Sequence, residues 1–268
     1  MTDELPLVAY PDLESRVKAL QEDGYVYLPG ILNADEVREL RAVMDRMEAK
    51  PESFDKHARP ENGTGTFLNK HINNAFNRDI HFLQFVDKSE VIEIEEAVHG
   101  SDCHVLGMTA WVTGPGRPDQ GLHADWQPLE LPEEVMANPK VKIPIYITTA
   151  HYYLDDLYTE LGPTQFIPGS HRAGRAPKGD MSYKGVGPKS IMCNAGDVVI
   201  FRSEVWHRGT ANTSDETRYL LQVHYSQRII TQKFPPYMNR FQFDPKILAQ
   251  ATPRQMRLLG DHKPSNYD

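Results

Sequence analysis

The chain has 268 residues, of which 40% are hydrophobic and 25% charged, a composition typical of a folded globular protein and unlike that of a disordered one. Its formal net charge is −8 and it has no run of lysines and arginines, which argues against binding to nucleic acid or to an anionic membrane. The two cysteines, Cys103 and Cys193, are too far apart for a CxxC site, and no signal-like N-terminus or stretch of about 18 apolar residues occurs, so we expect a cytoplasmic protein.

Residues 1–102 are predicted to form a helix-rich flank. Residues 12–22 place apolar side chains on one helical face, and the following stretch, GYVYLPGIL, favours a short strand. In NADEVRELRAVMDRMEA, Asn33 can cap a helix and Glu36 stands three residues later, as in a capping box. The polar loop at residues 51–66 is followed by a predicted strand and further helices.

From residue 103 the pattern changes to short β-rich runs separated by turns, which is typical of a sandwich or barrel. Residues 129–141 interrupt these runs as a predicted helical turn or lid, and residues 231–268 form a tail with one short helix. We therefore predict a single domain over residues 1–268, with its β core at residues 103–230.

The stretch GLHADWQP places His123 and Asp125 two residues apart. In an extended strand such residues point to the same side. A mononuclear ferrous site of the oxygenase type requires two imidazoles and one carboxylate, with open coordination positions opposite them. The pair supplies two of these ligands, but in a chain with 11 histidines it is a weak signal by itself.

The third ligand is predicted in GDVVIFRSEVWHRGTANTSDETRY, where His207 follows a β-rich run. Arg218 begins the next predicted strand. A guanidinium there can bind the distal carboxylate of a dicarboxylate through two charge-assisted hydrogen bonds. The HxD pair, the later histidine and the trailing arginine form a pattern far more specific than any of its parts.

Six stretches carry a resemblance to a known family: GYVYLPGIL, HINNAFNRD, LHADW, LGPTQFIPGSHR, GDVVIFRSEVWHRGTANTSDETRY and RQMRLLGDH. With them, the chain resembles the phytanoyl-CoA dioxygenase family of iron(II)- and 2-oxoglutarate-dependent oxygenases. The resemblance implies a mainly β fold, with a double-stranded β-helix (jelly-roll, cupin-like) core, N-terminal flanking helices and a lid insertion. It also implies that the iron ligands are His123, Asp125 and His207 and that Arg218 holds 2-oxoglutarate.

The resemblance implies further cosubstrate contacts. Relatives that modify natural products use a glutamine three residues before the first ligand and a threonine after a Gly-Pro pair, which correspond here to Gln120 and Thr164. A residue from the flank completes the pocket in many relatives, and either Lys70 or Asn73 can serve. The carboxylate of Asp125 argues against halogenation, because halogenating relatives have Gly or Ala at that position.

The expected activity is oxidation of an aliphatic C–H bond of a small or medium metabolite, with succinate and CO2 as co-products. Hydroxylation is the first expectation, and desaturation or rearrangement are alternatives. Fe(II), 2-oxoglutarate and O2 are required, ascorbate is an expected stimulant, and a homodimer is expected because relatives form one. The loops at residues 51–66 and 127–142 and the tail are the expected lid elements.

Two other functional classes remain open from the sequence. One is a metal-dependent hydrolase or isomerase that does not use 2-oxoglutarate, and the other is a non-catalytic jelly-roll binding module. Among the other histidines, His171 is interpreted as a turn residue. His151 and His224 are interpreted as residues that are packed in the core or that support the metal ligands. The sequence suggests no role for Trp126.

Overall fold

The computed structural model of the chain describes residues 4–47, 67–127, 129–138, 140–233 and 242–263. In these ranges the α-helices are α1 (Leu13–Glu22), α2 (Ala34–Arg46), α3 (Ser89–His99), α4 (Glu133–Met136), α5 (Pro245–Leu248) and α6 (Pro253–Leu258). The strands are β1 (Tyr25–Leu28), β2 (Asn69–Asn73), β3 (His104–Thr113), β4 (Ile147–Tyr153), β5 (Thr164–Phe166), β6 (Lys189–Ser190), β7 (Val198–Arg202), β8 (His207–Gly209) and β9 (Arg218–Ser226).

The predicted helices of the flank are confirmed, and local hydrogen bonds explain where α1 and α2 begin. The Asp12 side chain accepts from the N–H of Ser15 at the start of α1. At α2, Asn33 and Glu36 form the predicted capping box, each side chain accepting from the backbone N–H of the other residue. In the ranges given above, none of the helices combines the length and the apolar character needed to span a membrane.

Two antiparallel sheets form the core. The larger has the strand order β1-β7-β4-β9-β3-β2 and the smaller the order β6-β5-β8. Apolar side chains join them, as where the rings of Phe166 on β5 and Phe201 on β7 approach to 4.7 Å between centroids. This arrangement agrees with the predicted jelly-roll core and leaves a cleft between the sheets.

Strand alternation separates the two faces of the large sheet. On β4, Ala150 and Tyr152 belong to the apolar core that also holds buried residues of α1, α2 and α3, whereas His151 on the same strand lines the cleft. Residues of α5 and α6 join the same apolar core. One face of the sheet is therefore occupied by helices, and the other is available for a site.

The insertion and the tail differ in part from the prediction. Residues 129–141 do contain a short helix, α4, which lies against the loop that follows β5: Leu131 N–H donates to the carbonyl of Gly174, and Tyr183 donates to Glu133. The part of the tail that the structure describes has two short helices, α5 and α6, where one was predicted. The loop predicted at residues 51–66 lies outside the described residues, and the domain boundaries at 102 and 230 stay a prediction.

Candidate active site

The structure brings the three predicted metal ligands together in the cleft. His123 and His207 form an antiparallel β-bridge, in which each backbone N–H donates to the carbonyl of the other residue, at 3.0 and 2.7 Å. The N–H of Asp125 donates to the carbonyl of Ser203 at 3.1 Å, so the HxD segment runs alongside the chain that leads into β8. One side-chain ligand atom of each predicted ligand lies within 4.8 Å of the other two. The three side chains are close enough to share one ion.

Backbone carbonyls fix the orientation of both imidazoles. Nδ1 of His123 lies 2.8 Å from the carbonyl oxygen of Gly121, and Nδ1 of His207 lies 2.8 Å from that of Val205. Since a carbonyl oxygen only accepts hydrogen bonds, each Nδ1 carries a proton and each Nε2 presents its lone pair in the neutral ring. The two Nε2 atoms lie 3.7 and 3.6 Å from Oδ1 of Asp125. This is the arrangement by which proteins orient metal-binding histidines.

The electrostatics of Asp125 suit a cation. Burial by itself would raise the pKa of this carboxyl, but the protonated form of the adjacent His207 outweighs burial and holds the pKa well below its usual range. Burial would lower the pKa of His207, but Asp125 raises it, so a metal ion bound here takes the place of the proton on Nε2. Its Oδ2 is buried and has no hydrogen-bond partner in the part of the chain that the structure describes. A buried carboxylate oxygen without a partner is costly, and a divalent ion bound by the three side chains would satisfy it. The donor set therefore fits iron(II) or a similar ion.

Arg218 brings a buried cation to the same cleft. It is the first residue of β9, is 9% exposed and lines the cavity. Burial lowers its pKa, while Tyr153 and Asp155 act in the opposite direction; the group remains charged because an arginine titrates far above neutral pH. Within the described ranges its Nη1 has no hydrogen-bond partner. A buried guanidinium with an unused donor is suited to a carboxylate ligand.

Gln120 and Thr164 also line this cavity, which has a volume of about 810 Å³. The side-chain oxygen of Gln120 accepts from the N–H of Gly209 at 2.8 Å, which ties the loop before the HxD segment to the end of β8. Thr164 is buried at the start of β5. Their contacts with a cosubstrate stay predictions.

Of the two residues predicted from the flank, the structure places Asn73 in the cavity wall and Lys70 outside it. Lys70 Nζ donates to the carbonyls of Met44 and Asp45, at 3.0 and 3.1 Å, and so anchors β2 to α2. The assignment of Lys70 to the pocket was wrong because side chains alternate along a strand: Asn69 and Asn73 point into the cleft, so residue 70 points away from it.

Several polar residues of the cavity wall were not predicted as site residues, and three of them form side-chain hydrogen bonds next to the candidate ligands. His151 on β4 and Gln222 and His224 on β9 all line the cavity. Nε2 of His151 lies 2.7 Å from the amide nitrogen of Gln222, whose oxygen accepts from the indole N–H of Trp111 at 2.6 Å. Nδ1 of His224 lies 2.9 Å from the hydroxyl of Thr149. These contacts make a hydrogen-bonded wall beside the three candidate ligands.

The sequence held a signal for the β9 residues. Arg218, Leu220, Gln222 and His224 occupy alternate positions of one strand, and all four line the cavity. Once Arg218 is assigned to the cleft, the alternation assigns the other three. His171, in contrast, is buried close to Gly24 and away from the cavity, which agrees with its interpretation as a structural residue.

Solved structures support the fold assignment. The epimerase SnoN from nogalamycin biosynthesis, in complex with Fe3+, alpha ketoglutarate and nogalamycin RO, is 23% identical, with a TM-score of 0.61 over 80% of this chain and 83% of that chain. HygX from Streptomyces hygroscopicus, with nickel and 2-oxoglutarate bound, is 15% identical, with a TM-score of 0.62 over 81% of this chain and 88% of that chain. A second HygX structure also holds hygromycin B. These likenesses establish the fold alone.

Sequence comparisons identify the family of the chain as well as its fold. The chain is 28% identical over 264 residues to a protein named dioxygenase hkm4 from Aspergillus hancockii, a match that covers 92% of this chain and 81% of the relative. The family model described as phytanoyl-CoA dioxygenase (PhyH) matches residues 20–220, a range that contains all three candidate ligands and Arg218. A match over most of the chain that includes the site identifies it as a dioxygenase-type enzyme of the phytanoyl-CoA dioxygenase family.

Proposed function

We propose that the protein is an iron(II)- and 2-oxoglutarate-dependent oxygenase whose metal is held by His123, Asp125 and His207. The observation that carries the proposal is the joint placement of this donor set and the buried guanidinium of Arg218 in one cavity. A metal-dependent hydrolase or isomerase has no use for a buried cation suited to a second carboxylate. A binding module has no use for a metal with open coordination positions.

When bound with 2-oxoglutarate, the iron supplies the activation of dioxygen that oxidises a C–H bond, yielding succinate and CO2 as co-products. The chain's own residues bind and orient. Nδ1 of each histidine is fixed by a carbonyl, so both Nε2 atoms are directed to the ion before it binds. Arg218 holds the distal carboxylate of the cosubstrate, and burial strengthens this contact because little water competes with it.

The proposed substrate is a small or medium metabolite, and hydroxylation of an aliphatic carbon is the proposed outcome. The cavity volume of about 810 Å³ has room for a cosubstrate and an organic molecule of that size. The ligands named for SnoN and HygX, nogalamycin RO and hygromycin B, are both natural products. Because one of these proteins is an epimerase, desaturation and rearrangement are alternative outcomes of the same chemistry.

Four further points belong to the proposal. Dioxygen is the oxidant, ascorbate stimulates turnover, and the protein acts as a homodimer. A cytoplasmic location is consistent with two buried free thiols, Cys103 and Cys193.

The described residues near the insertion, α4 among them, pack against the loop at residues 174–184 and do not line the cavity. A lid role for residues 127–142 is therefore proposed only for a substrate-bound state.

Succinate formation tests the proposal directly. The purified protein is incubated with ferrous iron, 2-oxoglutarate and air, with and without a panel of metabolites, and succinate is quantified. We expect slow succinate formation without substrate and faster formation with a substrate, and both should stop when a chelator removes the metal. If no succinate forms while the metal-loaded protein hydrolyses or isomerises a panel compound, the proposal is wrong.

A further inference from the structure

Lys233 is a charged residue of the cavity wall that neither the motifs nor the proposed mechanism uses. It lies just after β9, and its backbone N–H donates to the carbonyl of Leu106 at 2.8 Å. The preceding Gln232 donates from its side chain to the carbonyl of Val105 at 2.9 Å. These bonds fix the segment along the first half of β3, beside the β-bulge between Val105 and Gly107.

The stem of Lys233 crosses the one position of this strand segment that lacks a side chain. A Cβ added at Gly107 would lie 3.0 Å from Cδ of Lys233, so any larger residue there would press against the stem. The ammonium then reaches the face of Trp126, with Nζ 5.3 Å from the ring centroid. Trp126 directly follows the HxD segment. A cation–π contact of this kind holds a lysine head group in place.

The neighbours of the ammonium place it close to the metal ligands. Lys233 lines the same cavity as His123, Asp125 and His207. The indole that its ammonium contacts belongs to the residue directly after Asp125. Lys233 therefore belongs to the part of the cavity that adjoins the candidate ligands.

Two other cations among the described residues of the cavity wall have different surroundings. Arg117 donates to the carbonyls of Gly209 and Thr210, at 3.1 and 3.3 Å, and so supports the turn after β8. Arg218 is the proposed partner of the cosubstrate. Lys233 is held on Trp126 at the cavity surface, and an ammonium in that position attracts an anionic group of a bound molecule.

We propose that Lys233, positioned by Trp126, forms a substrate subsite that selects molecules carrying a carboxylate, or another anionic oxygen group, near the carbon to be oxidised. This inference rests on the proposed function, because it assigns the substrate class of the same site. The ammonium binds the anionic oxygen, and the adjacent indole keeps the ammonium in position.

The test measures binding of acid and amide pairs of the same shape. The full-length protein is loaded with zinc, a redox-inert ion, and saturated with 2-oxoglutarate, so that Arg218 is occupied. Ligand-observed NMR then compares benzoate with benzamide, cyclohexanecarboxylate with its amide, and 2-naphthoate with its amide. We expect at least one acid to bind about tenfold more tightly than its amide, the difference that one partly screened charge contact provides.

Three variants assign the preference to a residue. Lys233→Met keeps the length of the stem and should abolish the preference for the acid, whereas Lys233→Arg should retain it. Lys246→Met, at an exposed lysine on α5, is the matched control and should behave as the wild type. The affinity for 2-oxoglutarate should be unchanged in all three, which separates this subsite from the cosubstrate site.

Several outcomes overturn the inference. If no acid of the panel binds more tightly than its amide, Lys233 does not select anionic molecules. The same conclusion follows if the wild type and Lys233→Met prefer the acid equally. A preference that disappears as 2-oxoglutarate is raised places the acid at Arg218. Reduced zinc or 2-oxoglutarate affinity in Lys233→Met gives the lysine a role at the metal. Failure of the proposed function is distinguishable, since it appears as the absence of succinate and of 2-oxoglutarate binding.

Discussion

On opposite faces of the large sheet lie two clusters that combine histidine with a carboxylate. One is the candidate metal centre formed by His123, Asp125 and His207. The other is buried under α3, where Nδ1 of His99 lies 3.1 Å from the carbonyl of Ile145 and Nε2 lies 2.8 Å from the hydroxyl of Thr148. Nε2 of His99 is also 3.3 Å from the carboxylate of Glu95, so the composition of the two clusters is similar.

The clusters differ in where the second ring nitrogen points. In the cluster under α3, the protein supplies partners for both nitrogens of His99, and the side chains of His99 and Glu95 have no solvent exposure. In the cleft, a backbone carbonyl accepts from Nδ1 of each histidine, and the two Nε2 atoms lie 3.7 and 3.6 Å from Oδ1 of Asp125. A histidine next to a carboxylate fits a metal site when a second histidine converges on the same point, as happens in the cleft.

Removal of His207 is expected to have the largest effect. Since loss of a residue that merely supports a metal ligand costs about 10- to 100-fold in affinity, loss of a ligand itself should cost more than about 100-fold. His207→Ala should therefore lose iron(II) binding, measured by anaerobic equilibrium dialysis, and succinate formation with it. His99→Ala, measured at a temperature where it is folded, should keep the metal. Equal iron affinity in His207→Ala and the wild type would remove the basis of the site assignment.

Arg218→Met should have the next largest effect, and on the cosubstrate alone. Truncating one partner of a buried charge pair costs about 2–5 kcal/mol, which corresponds to a loss of about 30- to 4000-fold in 2-oxoglutarate affinity. Calorimetric titration of the zinc-loaded protein measures this loss. Arg254→Met, which removes a half-exposed ion pair with Glu96, is the matched control and should bind 2-oxoglutarate normally. Unchanged affinity in Arg218→Met contradicts its role.

The pattern of residues was sufficient to predict those parts of the fold and of the candidate site that depend on local geometry. The HxD spacing places two side chains on one side of an extended segment, and the capping residues Asn33 and Glu36 define where α2 begins. The assignment of His207 and Arg218 as partners of the HxD pair needed the wider pattern. All of these depend on spacing within short segments or on a recognisable order of segments.

What could not be predicted depends on neighbours distant in sequence. The alternation of side chains along β2 can be predicted from the sequence. Which side of the strand faces the cleft depends on its partner strand β3 and on α2, and for this reason Lys70 was assigned to the wrong side. Lys233 follows the last strand and carries no local signal. Its position depends on the bulge in β3, on Gly107 and on Trp126, three features that the fold brings together.

The cluster under α3 should show its role in stability. His99→Leu leaves the buried groups of Glu95, Thr148 and Ile145 without the partners that the imidazole provides. We expect the free energy of unfolding to fall by about 2–4 kcal/mol, measured by urea denaturation. His81→Leu is the control: His81 is paired with Asp79 at the surface and 44% exposed, so its loss should change stability by less than about 0.5 kcal/mol. Equal effects of the two variants would contradict a structural role for the cluster.

A third cluster, the histidine pair His104 and His262, should show the smallest effect, and that effect depends on pH. Nε2 of His104 lies 2.8 Å from the carbonyl of Ile230, and Nδ1 lies 3.0 Å from Nε2 of His262 in the tail. Because the carbonyl takes a proton donor, Nδ1 must accept from His262, and protonation would set two donors against each other. Burial lowers the pKa of His104 to about 4, despite the bond to Ile230; His262 also lowers it, whereas Asp102 raises it.

The sign of the pH effect follows from this lowered pKa. The folded state favours the neutral ring, so the contribution of His104 is complete above its unfolded pKa of about 6.5 and is lost as the pH falls toward 4. We expect a loss of about 1–2 kcal/mol in the free energy of unfolding over that interval, after allowance for solvent screening. Urea denaturation of His104→Gln at several pH values should give a flatter profile than the wild type. If the two profiles are parallel, protonation of His104 does not weaken its contact with the tail. The pH dependence of the free energy of unfolding must then come from groups elsewhere in the chain.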